Sequence, residues 1–157
     1  MELPKESFQR VHIDFCEDKK QTFLILVASY SKWVEVKPMK NATVDKTLDE
    51  LRLNFAQHGL PEQLVSDNGP QFIAHEFKEF IIQNGIKHIR VAPYHPASNE
   101  AVERAVRLFK VSFTKQVLES NSERSLKYRI ADFLLRCRST HHGTTAELLM
   151  KRQLRKG

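Results

Sequence analysis

The chain has 157 residues, of which 41% are hydrophobic, and this size predicts a single domain with one sizeable core. Its longest apolar run, FLILVA at residues 23–28, is far shorter than the roughly 20 residues that span a bilayer, and its first residues, MELPKESFQR, lack the features of a signal peptide. We therefore expect a soluble protein that neither crosses a membrane nor follows the classical secretory route.

The two cysteines, Cys16 and Cys137, lie far apart and form no CxxC motif. This spacing excludes a disulfide framework and a zinc knuckle. We expect both thiols to be reduced, in an intracellular setting.

The charge is unevenly distributed along the chain. Residues 1–100 carry a net charge of −2, whereas residues 101–157 carry +8, which together give the overall +6. This asymmetry favours a polyanion, most plausibly nucleic acid, as the partner of the C-terminal third. Charge alone leaves open a simpler reading, in which basic helices only maintain solubility.

The first forty residues contain three segments typical of strands. RVHIDF at 10–15 alternates in polarity, TFLILVA at 22–28 is continuously apolar, and KWVEVKP at 32–38 ends at Pro38. Their close succession predicts an antiparallel meander.

Helices and strands then alternate. The pattern predicts a helix from Thr43 to Gly59, a short strand that ends at Asp67 before an Asn68-Gly69 turn, a helix at 75–85 and a strand at 86–91. The remainder is helical: a helix containing Glu103, a second through residues 126–137, and a third that starts near residue 144. We predict an α/β fold, with a five-stranded mixed sheet flanked by helices.

Three acidic residues stand out. Asp14 lies inside a strand that should be central, where an unpartnered carboxylate is costly, and Asp67 lies at the carboxyl end of another strand. Glu103 shares a helical stripe with Arg107 and Lys110. Taken singly, Asp67 is also an ordinary turn residue, and Glu103 also forms a plausible i,i+4 pair with Arg107.

The three carboxylates would meet if the first and fourth strands are neighbours and the Glu103 helix crosses the same sheet edge. Such a cluster repels itself and needs bound cations or protonation. Ligand sets made only of oxygen suit Mg²⁺ or Mn²⁺, and two such ions about 4 Å apart support phosphoryl transfer. The basic residues of the stripe would then contact phosphates.

Three motifs resemble the catalytic core of retroviral and Gypsy-type LTR-retrotransposon integrases. They are VHIDF…TFLILVASYSKWVEV, VSDNGPQF and YHPASNEAVERAVRLFK, and the closing RSTHHGTTAELLMKRQLRK is also similar. Asp67 and Glu103 are separated by 35 residues, which is the hallmark spacing of that family. The resemblance covers almost the whole chain.

The resemblance implies an RNase H-like fold in which Asp14, Asp67 and Glu103 are catalytic and bind two Mg²⁺ or Mn²⁺ ions. The activity it implies is polynucleotidyl transfer: phosphodiester hydrolysis at DNA ends followed by DNA strand transfer, without a covalent protein intermediate. The resemblance also implies that Asn99, Arg107 and Lys110 contact the donor DNA end. We interpret His95, in the loop before the Glu103 helix, as a further DNA contact.

The resemblance also implies a homodimer acting on element ends and target DNA, in the nucleus or in a virus-like particle before integration. A host protein that tethers it to chromatin is a further possible partner. Residues 1–157 would form the core domain alone, since neither the zinc-binding N-terminal domain nor the C-terminal DNA-binding domain of integrases fits in this chain.

Several positions depart from the family pattern. Glu100 replaces the usual Gly, CEDKKQ at 16–21 replaces a Gly-Pro-containing turn, Ala28 replaces an Asp, and HHGTTAELL at 141–149 lacks a Ser-Pro. These departures favour an alternative in which the chain is a host-adopted or degraded remnant that binds nucleic acid and dimerises with little catalysis. An RNase H-like nuclease or a transposase core is the third interpretation, which the flanking motifs disfavour. Trp33 and Tyr30 are interpreted as packing residues.

Overall fold

The computed structural model describes residues 10–18, 21–29, 33–91, 100–121 and 123–138. Within these ranges the side chains of residues 18, 100–106 and 138 are not described. The chain divides into two compact units, Met1–Ser98 and Asn99–Gly157. The assignment of residues 1–157 to a single domain stays a prediction.

The first unit is built on a five-stranded mixed sheet. Its strands are β1 (Arg10–Asp18), β2 (Gln21–Ala28), β3 (Val34–Met39), β4 (Gln63–Ser66) and β5 (Lys87–Arg90). They are arranged in the order β3-β2-β1-β4-β5, in which β1, β2 and β3 are antiparallel and β4 and β5 run parallel to β1. The predicted meander and the central position of the first strand are confirmed, and the first and fourth strands are neighbours, which was the condition for bringing Asp14 and Asp67 together.

Pro38 does not end the third strand as predicted, because β3 continues through it to Met39. Proline has no backbone N–H to donate to a neighbouring strand, so it is unfavourable in a central strand, which has a neighbour on each side. The strand tolerates Pro38 because β3 lies at the edge of the sheet.

The first helix, α1 (Val44–His58), begins and ends as the sequence predicts. The Thr43 side chain accepts a hydrogen bond from the Lys46 N–H at 3.2 Å and caps the N-terminus. At the other end Gly59 adopts a positive φ of 93°, and its N–H donates to the Phe55 carbonyl at 2.7 Å.

Two further helices complete the first unit, α2 (Pro70–Ile73) and α3 (His75–Gln83). The sequence predicted α3, but it predicted a turn at Asn68-Gly69 in place of the start of α2. Gly69 has a φ of −59°, so it caps a short helix that starts at Pro70 and does not form a left-handed turn. A four-residue helix has too few positions to show a periodic pattern.

Helices α1, α2 and α3 cover one face of the sheet. Alternation of side chains places odd-numbered residues of β1 and even-numbered residues of β2 on this face. The core between the sheet and the helices is formed by Val11, Ile13, Leu24, Leu26, Met39, Leu48, Leu51, Leu64, Phe55, Phe72, Phe77, Phe80, Ile81 and Ile86. The opposite face of the sheet carries His12, Asp14 and Cys16 of β1. The residues of β2 paired with Asp14 and Cys16, which are Ile25 and Phe23, are fully buried.

The second unit contains α4 (Glu100–Phe113), a π-helical segment at Thr114–Leu118, and α5 (Leu126–Arg138). Its core includes Phe109, Phe113 and Phe133, whose rings lie 5.3 to 6.3 Å apart. The π-helical segment was not predicted. The predicted last helix, from residue 144, lies outside the described residues.

Both cysteines, Cys16 and Cys137, are buried. Among the helices in the described part of the chain, none is long and apolar enough to cross a membrane.

Candidate active site

Asp14 lies in the middle of β1, and Asp67 directly follows β4, the strand that pairs with β1 in parallel. The register of β1 and β4 pairs Arg10 with Gln63, and the last recorded pair is His12 with Val65. Continued by two residues, the same register places Asp14 opposite Asp67. Because neighbouring strands lie about 4.8 Å apart, the two acids occupy adjacent positions at one sheet edge. The sequence predicted this pairing only on the condition that the two strands are neighbours.

Asp14 is half-buried and lies on the sheet face opposite α1, α2 and α3. Its Oδ1 accepts a hydrogen bond from the Phe15 backbone N–H at 2.8 Å. The flanking residues of the same face, His12 and Cys16, are both buried. The position therefore holds a carboxylate between side chains that are largely removed from water.

Asp67 follows β4 directly and does not end it as predicted, because the strand stops at Ser66. Its side chain is exposed, and Oδ1 accepts a hydrogen bond from the Gly69 backbone N–H at 2.8 Å. A Cβ at position 69 would lie 3.0 Å from this same oxygen. A side chain at position 69 would therefore force the Asp67 carboxylate to shift by a few tenths of an ångström.

A buried serine and a half-buried histidine support the main chain of Asp67. The Ser66 hydroxyl donates to the Asp67 carbonyl oxygen at 2.9 Å and lies 2.7 Å from Nε2 of His88. The His88 ring packs against the Phe77 ring with 5.3 Å between the ring centroids. Burial, with smaller contributions from the charges of Arg90 and Lys78, lowers the pKa of His88 to about 4.

Sequence reasoning missed Ser66 and His88 as members of the site. They are separated by 22 positions, and no spacing rule links a strand serine to a histidine three elements later. The polar alternation of KHIR at 87–90 was the only signal, and it is equally typical of a half-exposed strand.

The remaining predicted metal ligand and the predicted DNA contacts belong to the second unit or come shortly before it in the sequence. Glu103 is a residue of α4, but its side chain is not among those that the structure describes. On the same helix Arg107 is exposed and Lys110 is half-buried. Asn99 and His95 lie outside the described residues, so their roles stay predictions, as does the meeting of Glu103 with the two aspartates.

Trp33 has the packing role expected for it. Its Nε1 donates to Oε1 of Glu35 at 2.8 Å, and its ring lies 6.1 Å from that of His58. Tyr30 lies outside the described residues.

The donor set at the sheet edge fits a hard divalent cation. Asp14 and Asp67 offer carboxylate oxygens, which Mg²⁺ and Mn²⁺ prefer. No group of three potential metal ligands occurs among the side chains that the structure describes, a set that does not include Glu103. A third ligand from α4 stays a prediction.

Comparison with known proteins places the chain in a family. The model of the integrase core domain matches residues 4–96. The uncharacterized protein K02A2.6 of Caenorhabditis elegans is 33% identical over 98% of this chain, and the Gag-Pol polyprotein of feline leukemia virus is 33% identical over 71% of it. The chain spans only 12% of the first relative and 7% of the second. It belongs to the integrase core domain family.

Solved structures show the same fold. The catalytic core domain of BIV integrase has a TM-score of 0.68 at 23% identity, with 95% of this chain and 98% of that chain covered. The dimeric form of the HTLV-2 integrase catalytic core domain in complex with magnesium has a TM-score of 0.67 at 23% identity, with 88% and 94% covered. A simian T-cell lymphotropic virus intasome in complex with PP2A regulatory subunit B56 gamma has a TM-score of 0.71 at 23% identity, with 90% and 54% covered. The predicted RNase H-like fold is confirmed.

Proposed function

We propose that this chain is the catalytic core of a polynucleotidyl transferase that processes DNA ends and joins them to target DNA. The observation that carries the proposal is the parallel register of β1 and β4, whose last recorded pair, His12 with Val65, comes two residues before Asp14 on one strand and Asp67 on the other. Membership of the integrase core domain family supports the same chemistry.

Asp14, Asp67 and Glu103 are the residues we propose to hold two divalent cations. When bound, Mg²⁺ or Mn²⁺ would activate the attacking oxygen and stabilise the leaving oxygen of a phosphodiester. The HTLV-2 core solved in complex with magnesium supports this choice of ion. The protein's own part is to fix the carboxylates, which the Phe15 and Gly69 backbone N–H groups do at 2.8 Å each.

The basic face of α4 is the proposed DNA contact. Arg107 and Lys110, three positions apart, share one side of the helix, and Arg107 is exposed. A guanidinium and an ammonium spaced along a helix neutralise successive phosphates without reading the bases. Asn99 and His95, which precede the helix, are proposed to contact the same DNA end.

We propose a homodimer, DNA as substrate and target, and a site of action in the nucleus or in a virus-like particle. The dimeric form of the HTLV-2 core supports the first of these, and the intasome bound to a host phosphatase subunit supports the idea of a host partner. Sedimentation of the purified chain tests the dimer.

Metal-dependent thermal stabilisation tests the proposed site. A ligand at 100 times its Kd stabilises the folded state by about 2.7 kcal/mol, which corresponds to roughly 5–10 °C in Tm for a chain of this size. We expect Mn²⁺ to raise the Tm of the wild type and Asp67→Asn to remove the shift. Asp45→Asn, which changes an exposed acid of α1, is the matched control and should keep it. An equal shift in Asp67→Asn and wild type would contradict the proposal.

A further inference from the structure

Ser66 and His88 form a polar connection on the helix-covered face of the sheet. In the β4–β5 register Leu64 pairs with His88, and Ser66 follows Leu64 by two residues, so all three side chains lie on the same face. Leu64 belongs to the core under α1, α2 and α3, and Ser66 is 2% exposed. A hydroxyl buried to this degree needs hydrogen-bond partners.

The donor and the acceptor of each hydrogen bond that Ser66 makes can be assigned. The serine hydroxyl has a single proton, and its geometry to the Asp67 carbonyl oxygen at 2.9 Å is that of a donor. The oxygen is then left to accept from Nε2 of His88 at 2.7 Å, which requires that Nε2 carries the proton. The pKa of about 4 keeps the ring neutral at pH 7, so Nδ1 is then unprotonated.

We propose that His88 is a positioning residue for Asp67. Nε2–H of His88 donates to Oγ of Ser66, and the Ser66 hydroxyl donates to the Asp67 carbonyl oxygen, which fixes the peptide plane that follows Asp67. Fixing this plane sets the direction in which the carboxylate leaves the main chain. The inference rests on the proposed function of Asp67 as a metal ligand.

Other contacts keep this connection in one geometry. The Phe77 ring of α3 packs against the imidazole, and the Val91 N–H donates to the Ser66 carbonyl oxygen at 2.9 Å. On the far side of Asp67, the Gly69 N–H holds Oδ1. Both the main chain and the carboxylate of Asp67 are therefore held, one from within the core and one from the loop that leads into α2.

The tautomer of His88 is measurable without any metal. Nitrogen-15 NMR of the imidazole at pH 7 should show a neutral ring with its proton on Nε2. A proton on Nδ1 would overturn the inference, because Ser66 would then have to donate to His88 and the Asp67 carbonyl would lose its donor. This readout is independent of whether the chain is an integrase.

Metal affinity is the second readout. Replacing a residue that supports a metal ligand through hydrogen bonds typically weakens metal binding by about 10–100-fold. We therefore expect Ser66→Ala and His88→Phe each to weaken Mn²⁺ binding by roughly tenfold. Isothermal titration calorimetry measures this affinity. His88→Gln, whose amide nitrogen can donate from nearly the same place, should bind close to the wild-type value. His75→Gln, at an exposed histidine of α3, is the control and should bind as wild type.

The outcomes separate the two proposals. A merely structural role would lower the Tm of Ser66→Ala and His88→Phe without changing the affinity of the folded protein, and that result overturns the positioning role. If His88→Phe fails to fold, the affinity of Ser66→Ala still decides the question. If the wild type binds no Mn²⁺ and Asp67→Asn changes nothing, the proposed function itself fails, and the positioning role fails with it.

Discussion

The backbone N–H of Gly69 donates to Oδ1 of Asp67 at 2.8 Å, and a Cβ at position 69 would lie 3.0 Å from the same oxygen. With a φ of −59°, Gly69 is in a conformation that any residue adopts. Its lack of a side chain therefore matters because of the carboxylate beside it and not because of the backbone.

Gly69→Ala is expected to displace the Asp67 carboxylate and to weaken Mn²⁺ binding by roughly tenfold, the lower end of the loss caused by disturbing a group that hydrogen-bonds to a metal ligand. Calorimetric titration of the folded variant measures this. Gly59→Ala is the matched control: its Cβ would meet nothing within 4 Å, but its φ of 93° is strained for alanine. It should cost about 1–2 kcal/mol of stability and leave metal affinity unchanged. Equal affinities in both variants and the wild type would contradict the role of Gly69.

Acidification is expected to destabilise the protein through His88. Between its ordinary pKa of 6.5 and its lowered pKa of about 4, the unfolded chain binds a proton at this ring that the folded chain does not. The contribution of His88 to the free energy of unfolding is therefore fully present above pH 6.5. It is lost as the pH drops toward 4. At 1.36 kcal/mol per unit, and reduced because the ring is only half-buried, the loss should be about 2 kcal/mol.

Urea unfolding of the wild type and of His88→Gln, at pH 7 and pH 4.5 without metal, measures this contribution. The wild type should lose about 2 kcal/mol more than the variant over this interval. Parallel losses in the two proteins would mean that His88 has the same pKa in the folded and unfolded states, which would contradict the prediction.

Lys110→Ala is expected to weaken DNA binding at all sequences and to reduce the slope of log affinity against log salt by about one unit, because one phosphate contact is lost. Arg107→Ala should behave in the same way. Lys46→Ala removes an exposed cation of α1 and serves as the control, with an unchanged slope. Fluorescence anisotropy over a salt series measures all three. A wild-type slope for Lys110→Ala would exclude it from the DNA contact.

The three phenylalanines of the second unit are expected to dominate its stability. Phe133 is fully buried and meets both Phe109 and Phe113 edge to face. Its replacement by alanine should cost about 3–5 kcal/mol, whereas Leu135→Ala on the same helix, where the leucine is 65% exposed, should cost no more than about 0.5 kcal/mol. Denaturant unfolding compares them, and similar costs would contradict the assignment of this core.

Much of the first unit is predictable because its signals are local. The stripe of Val44, Leu48, Leu51 and Phe55 together with the capping residues defines α1, and the alternation in RVHIDF defines β1. The central place of β1 was predicted because helices follow it, whereas the adjacency of Asp14 and Asp67 was predicted only on the condition that β1 and β4 are neighbours. These inferences depend on periodicity and on turn chemistry, which one sequence contains.

The parts that were missed depend on contacts distant in sequence. The π-helical segment is stabilised by a hydrogen bond from the Glu119 N–H to the Thr114 carbonyl, and its Val117 carbonyl accepts from the Arg129 guanidinium of α5. Neither partner is visible in the helical pattern of residues 114–118. The Ser66–His88 pair is missing from the sequence reasoning for the same reason, since it joins two strands through their side chains.

The central claim is that Asp14, Asp67 and Glu103 form one metal-dependent active centre, and a disintegration reaction tests it most directly. A branched DNA that mimics the strand-transfer product is incubated with this chain and Mn²⁺, beside Glu103→Gln and Asp67→Asn. We expect the wild type to resolve the branch and both variants to lose the product. A folded wild type that binds the DNA and forms no product would contradict the claim and favour the remnant that binds without catalysis.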